Sequence, residues 1–572
     1  MAVIQPLVDL AAICYKHGIR HVVVSPGSRS AAITLSFARF GKFRMQVCID
    51  ERSAGFIALG MAQQTGIPTV LICTSGSAVY NFAPAVSEAF FQQIPLLVLS
   101  ADRPKEWIHQ YDGQTIYQHE IFGKHVKRSF EFLPDYDHRD TAWAVNRIAN
   151  EAILLSSSVP QGPVHINIPV REPFYPDEND VFQSTENLRI ISKSKATTEL
   201  SSDEWNRLLD EFESSPRILI AGAQHLPDQP LAAALTHISE EWDIPVLADA
   251  VSNLTSDAFI HHHDLFLHAQ TSTHLRPDLL ITFGKSFVSK EFKQYIRRNP
   301  PRQHWHIGQD IFLTDATQTL TMQVPVQAAH FFTTLFEKLD NYLFVTNTDL
   351  EIDTSFKACW NEEEYKTRKI KYNFANNLTM LSDLTLLDVL NKQPSSHYQL
   401  HVGNSMAIRY VNALLDTKLY SGVFCNRGTS GIDGCVSTAI GAALVNERPT
   451  LLLVGDVSFL YDRNGFLIQD LPQNLRIIVV NNAGGNIFRM IDGPKDTLEL
   501  ETYFETRHRF TAENTCKDAR IDYQSARLPD ELEDKLRWLM EHDQIALLEI
   551  FTDPRENERV WKMLKALVRP ES

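Results

Sequence analysis

The stretch Gly455-Asp456-Val457-Ser458, carried on downstream by Asn481-Asn482-Ala483-Gly484-Gly485, decides how this chain is read. It begins where the apolar run Leu451-Leu452-Leu453-Val454 stops. Four apolar residues ahead of Gly-Asp read as a buried parallel strand that ends in a loop. A second run, Ile477-Ile478-Val479-Val480, ends in the same way at Asn481-Asn482. Between them, residues 464–470 read as a short helix stopped before Pro472. The pattern is strand, helix, strand. It places Asp456 and Asn482 at the carboxyl ends of parallel strands, the edge where open α/β sheets bind ligands.

An Asp carboxylate, an Asn carbonyl and a nearby backbone carbonyl are hard oxygen donors. They suit Mg²⁺, which holds near-octahedral geometry and commonly completes its shell with phosphate oxygens. Gly484 and Gly485 let backbone come close to a ligand. Taken alone, Asp456 reads as the cap of the next helix. The pairing of Gly-Asp with Asn-Asn at this spacing favours a metal.

The 572 residues suffice for three or four domains. With 44% hydrophobic and 22% charged residues the composition is globular, and the net charge of -16 argues against a nucleic-acid or anionic-membrane partner. That charge also makes any arginine cluster informative. Seven cysteines with no Cys-x-x-Cys pair point to reduced thiols and a cytoplasmic setting. No apolar run has membrane-spanning length, and no basic region precedes the first apolar residues, so neither an anchor nor a signal peptide is expected.

Outward from the central stretch, strands alternate with helices along most of the chain. In the first part, strands are expected at 21–24, 45–49, 69–73, 95–99 and 163–169, with helices at 5–18, 53–64 and 79–92. Strand ends there carry Ser25-Pro26-Gly27-Ser28-Arg29-Ser30, Asp50-Glu51-Arg52, Thr74-Ser75-Gly76 and Ser100-Ala101-Asp102-Arg103-Pro104. A second unit, 200–345, has expected strands at 217–221, 245–248, 279–283 and 305–307. It contains Ala221-Gly222-Ala223 but no Gly-x-Gly-x-x-Gly, so a dinucleotide site is weakly supported. It reads as a structural domain that lends loop 284–290 to the active site, and His261-His262-His263 reads as solvated loop. Residues 346–380 read as a linker. The last unit, 381–572, has Gly403-Asn404-Ser405, the glycine- and hydroxyl-rich loop 426–434, the central stretch, a helix at 528–540 and a final strand at 546–551. The fold class is therefore α/β, with three doubly wound parallel-sheet domains: 1–180, 200–345 and 381–572.

The Gly-Asp…Asn-Asn spacing resembles the cofactor signature of thiamine-diphosphate (ThDP) enzymes. That resemblance implies a pyrimidine-binding first domain, a diphosphate-binding third domain and a metal held by Asp456, Asn482 and the carbonyl of Gly484. Ser405, Ile432, Ser458 and Asn486 would complete the cofactor site, with Ile432 propping the bent cofactor. ThDP chemistry needs a glutamate beside the pyrimidine ring to favour the tautomer that accepts the thiazolium proton. Glu51, at a strand end before a Gly/Ala-rich helix, is the candidate, although by itself it reads equally well as a helix N-terminal acid. In this superfamily the first domain of one subunit meets the third domain of another. A homodimer is then the minimum, and a homotetramer is compatible.

The resemblance narrows further. The strand-end motifs of the first domain, Glu51-Arg52-Ser53-Ala54-Gly55-Phe56, Gly403-Asn404-Ser405 and the run from Asn426 to Gly434 are similar to the MenD family of the menaquinone pathway. This implies decarboxylation of 2-oxoglutarate and 1,4-addition of the succinyl unit to isochorismate, with ThDP and Mg²⁺ or Mn²⁺. Both substrates are dicarboxylates, and Arg29, Arg103, Arg409 and Arg427 lie in strand-end loops or just after one, placed to grip carboxylates. By resemblance, Arg409 and Arg427 hold the donor acid. Ser28, Arg29, Arg103, Gln114 and Lys290 hold isochorismate, and Ile487 and Phe488 line the reacting centre. Three positions depart from the pattern: Val457 for a common Gly, Ala483 for a common Asn, and Glu291 for a second basic residue after Lys290. The rival readings are another ThDP-dependent decarboxylase or acetolactate-synthase-like ligase, which leaves four arginines unexplained, and a catalytically silent ThDP-binding protein, which leaves Glu51 unexplained.

Overall fold

The computed structural model describes residues 3–569 apart from 178–179, 269, 311, 347–350, 396 and 492. The strands form three sheets. The first contains β1 (His21–Val24), β2 (Arg44–Val47), β3 (Thr69–Cys73), β4 (Leu96–Asp102), β5 (Ser129–Glu131) and β6 (Val164–Pro169). The second contains β7 (Ile218–Gly222), β8 (Val246–Ala248), β9 (Leu279–Phe283), β10 (Gln303–Ile307) and β11 (Met322–Val324). The third contains β12 (Gln399–Val402), β13 (Val423–Cys425), β14 (Thr450–Gly455), β15 (Leu475–Asn481), β16 (Asp522–Ala526) and β17 (Ala546–Phe551).

Every paired strand runs parallel to its neighbour. Such sheets are covered by helices on both faces, which is why β3, β4 and β15 are buried along their whole length. The expected class, three parallel-sheet domains with alternating helices, is what the chain forms. The first and third sheets also share one strand order. It is β2-β1-β3-β4-β6-β5 in the first and β13-β12-β14-β15-β17-β16 in the third, the same sequence of positions. In each, the order reverses between the first and third strands of the sheet, which opens a crevice at their carboxyl ends.

The two sheets are joined through equivalent helices. Helix Glu51–Thr65 follows β2, and helix Cys435–Val445 follows β13, the matching strand. Their backbones touch. A Cβ at Gly60 would lie 2.1 Å from the carbonyl oxygen of Thr438, and one at Gly441 2.0 Å from that of Ile57. The small-residue composition of both helices is thus the price of a close crossing.

Several expectations need correction. The helix placed at 464–470 begins instead at the motif itself: Asp456–Asp462 is helical and a 3-10 turn covers Arg463–Phe466. The helix at 79–92 is two, Ser77–Asn81 and Ala83–Gln92, because Pro84 restarts it. The segment read as a linker, of which 347–350 lie outside the described residues, carries the 22-residue helix Thr354–Ala375, whose Phe356 and Trp360 are buried in the core. This helix also explains the histidines read as a solvated loop. His262 and His263 are buried. His262 Nδ1 lies 2.7 Å from Glu364 Oε1, its Nε2 lies 2.6 Å from Lys371 Nζ, and His263 lies 3.3 Å from Asp249. Polar partners from distant segments make the burial tolerable.

Candidate active site

At the crevice of the third sheet, the ends of β12, β14 and β15 and the segment after β15 enclose a cavity of about 300 Å³. Asn404, Ser405, Ile432, Asp456, Ser458, Asn482, Gly484, Asn486, Ile487 and Phe488 all line it. The candidates drawn from the third domain, apart from the two arginines, therefore converge on one site.

Asp456 is buried at the first turn of its helix. Its Oδ1 accepts the N–H of Val457 at 2.7 Å and its Oδ2 that of Gly484 at 3.0 Å. Val457 is helical and supplies that N–H, so a glycine is not required after Asp456. Ala483 has φ +62, a region that costs a side-chain-bearing residue about 1–2 kcal/mol and that Asn tolerates better. The departure at 483 therefore carries a backbone cost. Ser405 has φ +70 and ψ -127 ahead of helix Met406–Leu414, a second strained residue in the wall of the same cavity.

Buried polar atoms without partners mark what the cavity is built for. Asn482 Oδ1 and both side-chain polar atoms of Asn486 have no hydrogen-bond partner, a state that costs each group roughly 1–3 kcal/mol. The Gly484 carbonyl accepts one bond, from Asn486 N–H at 3.0 Å, and has a second lone pair to offer. With Asp456 this set of oxygens fits a hard divalent cation. Among the described residues no group of three His, Cys, Asp or Glu could hold a metal.

Sequence reasoning missed several residues here. Asp383 lines the cavity, its Oδ1 accepting from Thr552 Oγ1 and Asn557 Nδ2, each at 2.8 Å, and burial pushes its carboxyl up to about 6. The buried hydroxyl of Tyr410 has no partner. His508 Nε2 lies 3.3 Å from Asp456 Oδ2, and that carboxylate raises the imidazole above its ordinary pKa. Asp383 and His508 had no local signal and reach the site from other segments, whereas Tyr410 lies on the helix that follows Ser405.

Arg409 and Arg427 stand just outside the wall, anchored on residues within it. Arg409 Nη1 donates to the carbonyl of Ser405 at 2.5 Å, and Arg427 Nη1 to Asn404 Oδ1 at 3.0 Å. Neither pairs with a carboxylate among the described residues, and Arg427 Nε is buried without a partner. Burial and the neighbouring Arg427 depress the pKa of Arg409. Two guanidiniums without a carboxylate partner among the described residues, in a chain of charge -16, can take up an anion.

The remaining candidates form a separate group. Arg29 is buried, 3.2 Å from Glu172, and its pKa is lowered by burial and then by the nearby positive charge of Arg103. Arg103 pairs with Asp112 at 2.8 Å and donates to the carbonyl of Gly113, and Gln114 packs on Gly76. Ser28 is exposed beside them. Glu51 begins helix Glu51–Thr65, half-buried, with Asn81 Nδ2 at 3.5 Å. None of these residues lines the cavity in the third sheet of the same chain. Nor does Lys290, which is exposed at the start of helix Lys290–Arg298. Its neighbour Glu291 turns away to His268 at 3.2 Å and Lys565 at 3.7 Å. Loop 284–290 meets the first domain through Lys285 Nζ, which donates to the carbonyl of Gln92. Gly222 in the second sheet is crowded by Leu254 and Phe283 side chains rather than open to a ligand.

Residues 8–124 match the family model described as thiamine pyrophosphate enzyme, N-terminal TPP binding domain, and residues 185–347 that of the middle domain of thiamine pyrophosphate enzymes. A curated protein from Cytophaga hutchinsonii, named 2-succinyl-5-enolpyruvyl-6-hydroxy-3-cyclohexene-1-carboxylate synthase, is 40% identical over 99% of both chains. The chain belongs to this synthase family. Proteins of the same name from Flavobacterium psychrophilum and Porphyromonas gingivalis are each 35% identical, covering 97% of this chain and 98% and 96% of theirs. As a family member the chain is a ThDP-dependent transferase, and the cofactor implied by the Gly-Asp…Asn-Asn motif is the family's own. No helix among the described residues is long and apolar enough to cross a membrane.

Proposed function

We propose that this protein decarboxylates 2-oxoglutarate and joins the succinyl unit to isochorismate in a 1,4-addition, using ThDP and Mg²⁺ or Mn²⁺, as a cytoplasmic homodimer or an assembly of such dimers. The observation that carries the donor assignment is the pair of guanidiniums without carboxylate partners, Arg409 and Arg427, at the rim of the cavity. A donor with a second carboxylate gives them a partner; a simple 2-oxoacid does not.

Asp456, Asn482 and the Gly484 carbonyl would hold the metal, and Ser405, Ser458 and Asn486 would contact the cofactor. When bound, ThDP supplies the carbon nucleophile and the sink for the electrons released with CO₂. Ile432 supports the cofactor from the cavity wall, its carbonyl fixed by Ser458 Oγ at 2.5 Å. Ile487 and Phe488 provide an apolar wall that keeps water from the reacting carbon. Glu51, presented by the first domain of a second copy, would hydrogen-bond the cofactor's pyrimidine ring and serve as its proton partner. The second copy is supported by the separation of Glu51 from its own chain's cavity, and by exposed Ile49 and Tyr80 near it. Ser28, Arg29, Arg103 and Gln114 enter on the same surface, where they bind the carboxylates of isochorismate.

The test is a coupled assay with ThDP, Mg²⁺ and 2-oxoglutarate, with and without isochorismate. Stoichiometric CO₂ release and isochorismate consumption is the expected result. CO₂ release with isochorismate untouched would make the protein a decarboxylase and remove the acceptor assignments.

A further inference from the structure

Loop 426–431, which presents Arg427, is held from two sides. In front, Asn404 Nδ2 donates to the carbonyls of Asn426 at 2.6 Å and Gly431 at 2.7 Å. Behind, the support comes from another domain. Glu88, on helix Ala83–Gln92 of the first domain, is 1% exposed. Its Oε1 accepts the N–H of Gly428 at 2.7 Å, and its Oε2 accepts the N–H of Thr429 at 2.6 Å and Thr429 Oγ1 at 2.5 Å. Two successive backbone N–H groups aimed at one carboxylate form an anion-binding concavity that a side chain of the same protein fills. The approach is close, since a Cβ at Gly428 would lie 2.6 Å from the backbone carbonyl of Glu88.

The carboxylate is itself held. Gln92 Nε2 donates to Glu88 Oε1 at 2.5 Å, and Gln92 Oε1 accepts from Gln63 at 3.3 Å and from Gln224 of the middle domain at 2.9 Å. Gln224 Nε2 also reaches the carbonyl of Cys425 at 3.1 Å, at the end of β13 just ahead of the loop. Side chains of all three domains thus meet behind the loop that carries Arg427, and the charge at the centre of that junction is Glu88.

We propose that Glu88 is a positioning residue for the donor acid. Through the backbone of Gly428 and Thr429 it sets where Arg427 presents its guanidinium, so the first domain of a chain tunes the donor affinity of that chain's own third domain. The proposal rests on the assignment of Arg427 to the donor carboxylate. A residue that only glued domains together would change stability, and with it the amount of active enzyme. A positioning residue changes KM for the donor at a given amount of active enzyme.

The experiment is steady-state kinetics on the ThDP- and Mg²⁺-loaded enzyme for Glu88→Gln, Arg427→Met and the double variant, varying 2-oxoglutarate. Gln keeps one acceptor oxygen but turns an amide N–H₂ toward the loop donors, so KM for 2-oxoglutarate should rise about tenfold with kcat much less affected. In the Arg427→Met background the same change should raise KM no further, because the route through Arg427 is gone. An unchanged donor KM in Glu88→Gln, or a full additional rise in the double variant, overturns the proposal. An unchanged KM in Arg427→Met alone is a different failure: it removes the donor assignment on which the proposal depends. Should Glu88→Gln not fold, Thr429→Ala removes only the hydroxyl donor. It should raise donor KM about two- to threefold, and no rise would count against Glu88.

Discussion

Asn482 brings an amide oxygen into the cavity that has no hydrogen-bond partner among the described residues, and Asp456 beside it is held by two backbone N–H groups. If both are metal ligands, Asn482→Ala should weaken Mg²⁺-dependent ThDP binding by more than the roughly 10–100-fold typical of losing an outer partner, as read by titration of cofactor fluorescence quenching against metal. Glu51→Gln should do the opposite: cofactor binding stays and turnover falls by at least about 100-fold, the scale of a lost general acid–base. Both residues were legible in the sequence because each sits in a short motif whose chemistry is local. His508 and Asp383 were not, because their role comes from where distant segments fold. A third residue gives a pH signature. His401 on β12 is buried against Phe424, its Nε2 unpaired, and burial pushes its pKa down to about 3. Between the unfolded value near 6.5 and about 3, the unfolded chain binds a proton that the folded one refuses, so stability falls as pH falls through that window. The contribution should be about 2 kcal/mol at pH 5. His401→Leu should therefore shrink the drop in thermal midpoint between pH 7.5 and 5.

Among the elements, the crossing of helices Glu51–Thr65 and Cys435–Val445 is the least forgiving. A methyl at Gly441 has no room against the Ile57 carbonyl, and both partners are backbone, which cannot rotate away. Gly441→Ala should cost at least about 3 kcal/mol, measured as a lower denaturant midpoint. Alternation of apolar runs with small-residue helices made most strands of the sheets readable, β1, β3, β9 and β17 to the residue. Elements were misread where local pattern competes with tertiary context. β5, β11 and β16 are edge strands of three to five residues with little apolar signal. The helix at Asp456 opens directly out of a strand, with no separating turn to mark it. Helix Thr354–Ala375 is highly charged, and its buried Phe356 and Trp360 show that it belongs to the core.

For the whole molecule, the shared strand order of the first and third sheets has a functional meaning. Each presents the carboxyl ends of equivalent strands: one carries Glu51 and the cluster around Arg29 and Arg103, the other carries the cofactor cavity. Within a chain the two sheets are joined through their helices, so the two sets of residues do not share one cavity. On the proposed assignment the chain alone holds two half-sites that a second copy completes, a feature that residue spacing could suggest only through family resemblance. The most direct test mixes two inactive variants, Glu51→Gln and Asn482→Ala, carrying different tags, and lets the subunits exchange. If each active site takes Glu51 from one subunit and the cofactor cavity from the other, each mixed dimer has one intact site, and an equal mixture should recover about a quarter of the wild-type rate. Mixed dimers isolated through both tags and found without activity would contradict the account, because they would place Glu51 and the cavity of one chain in the same site.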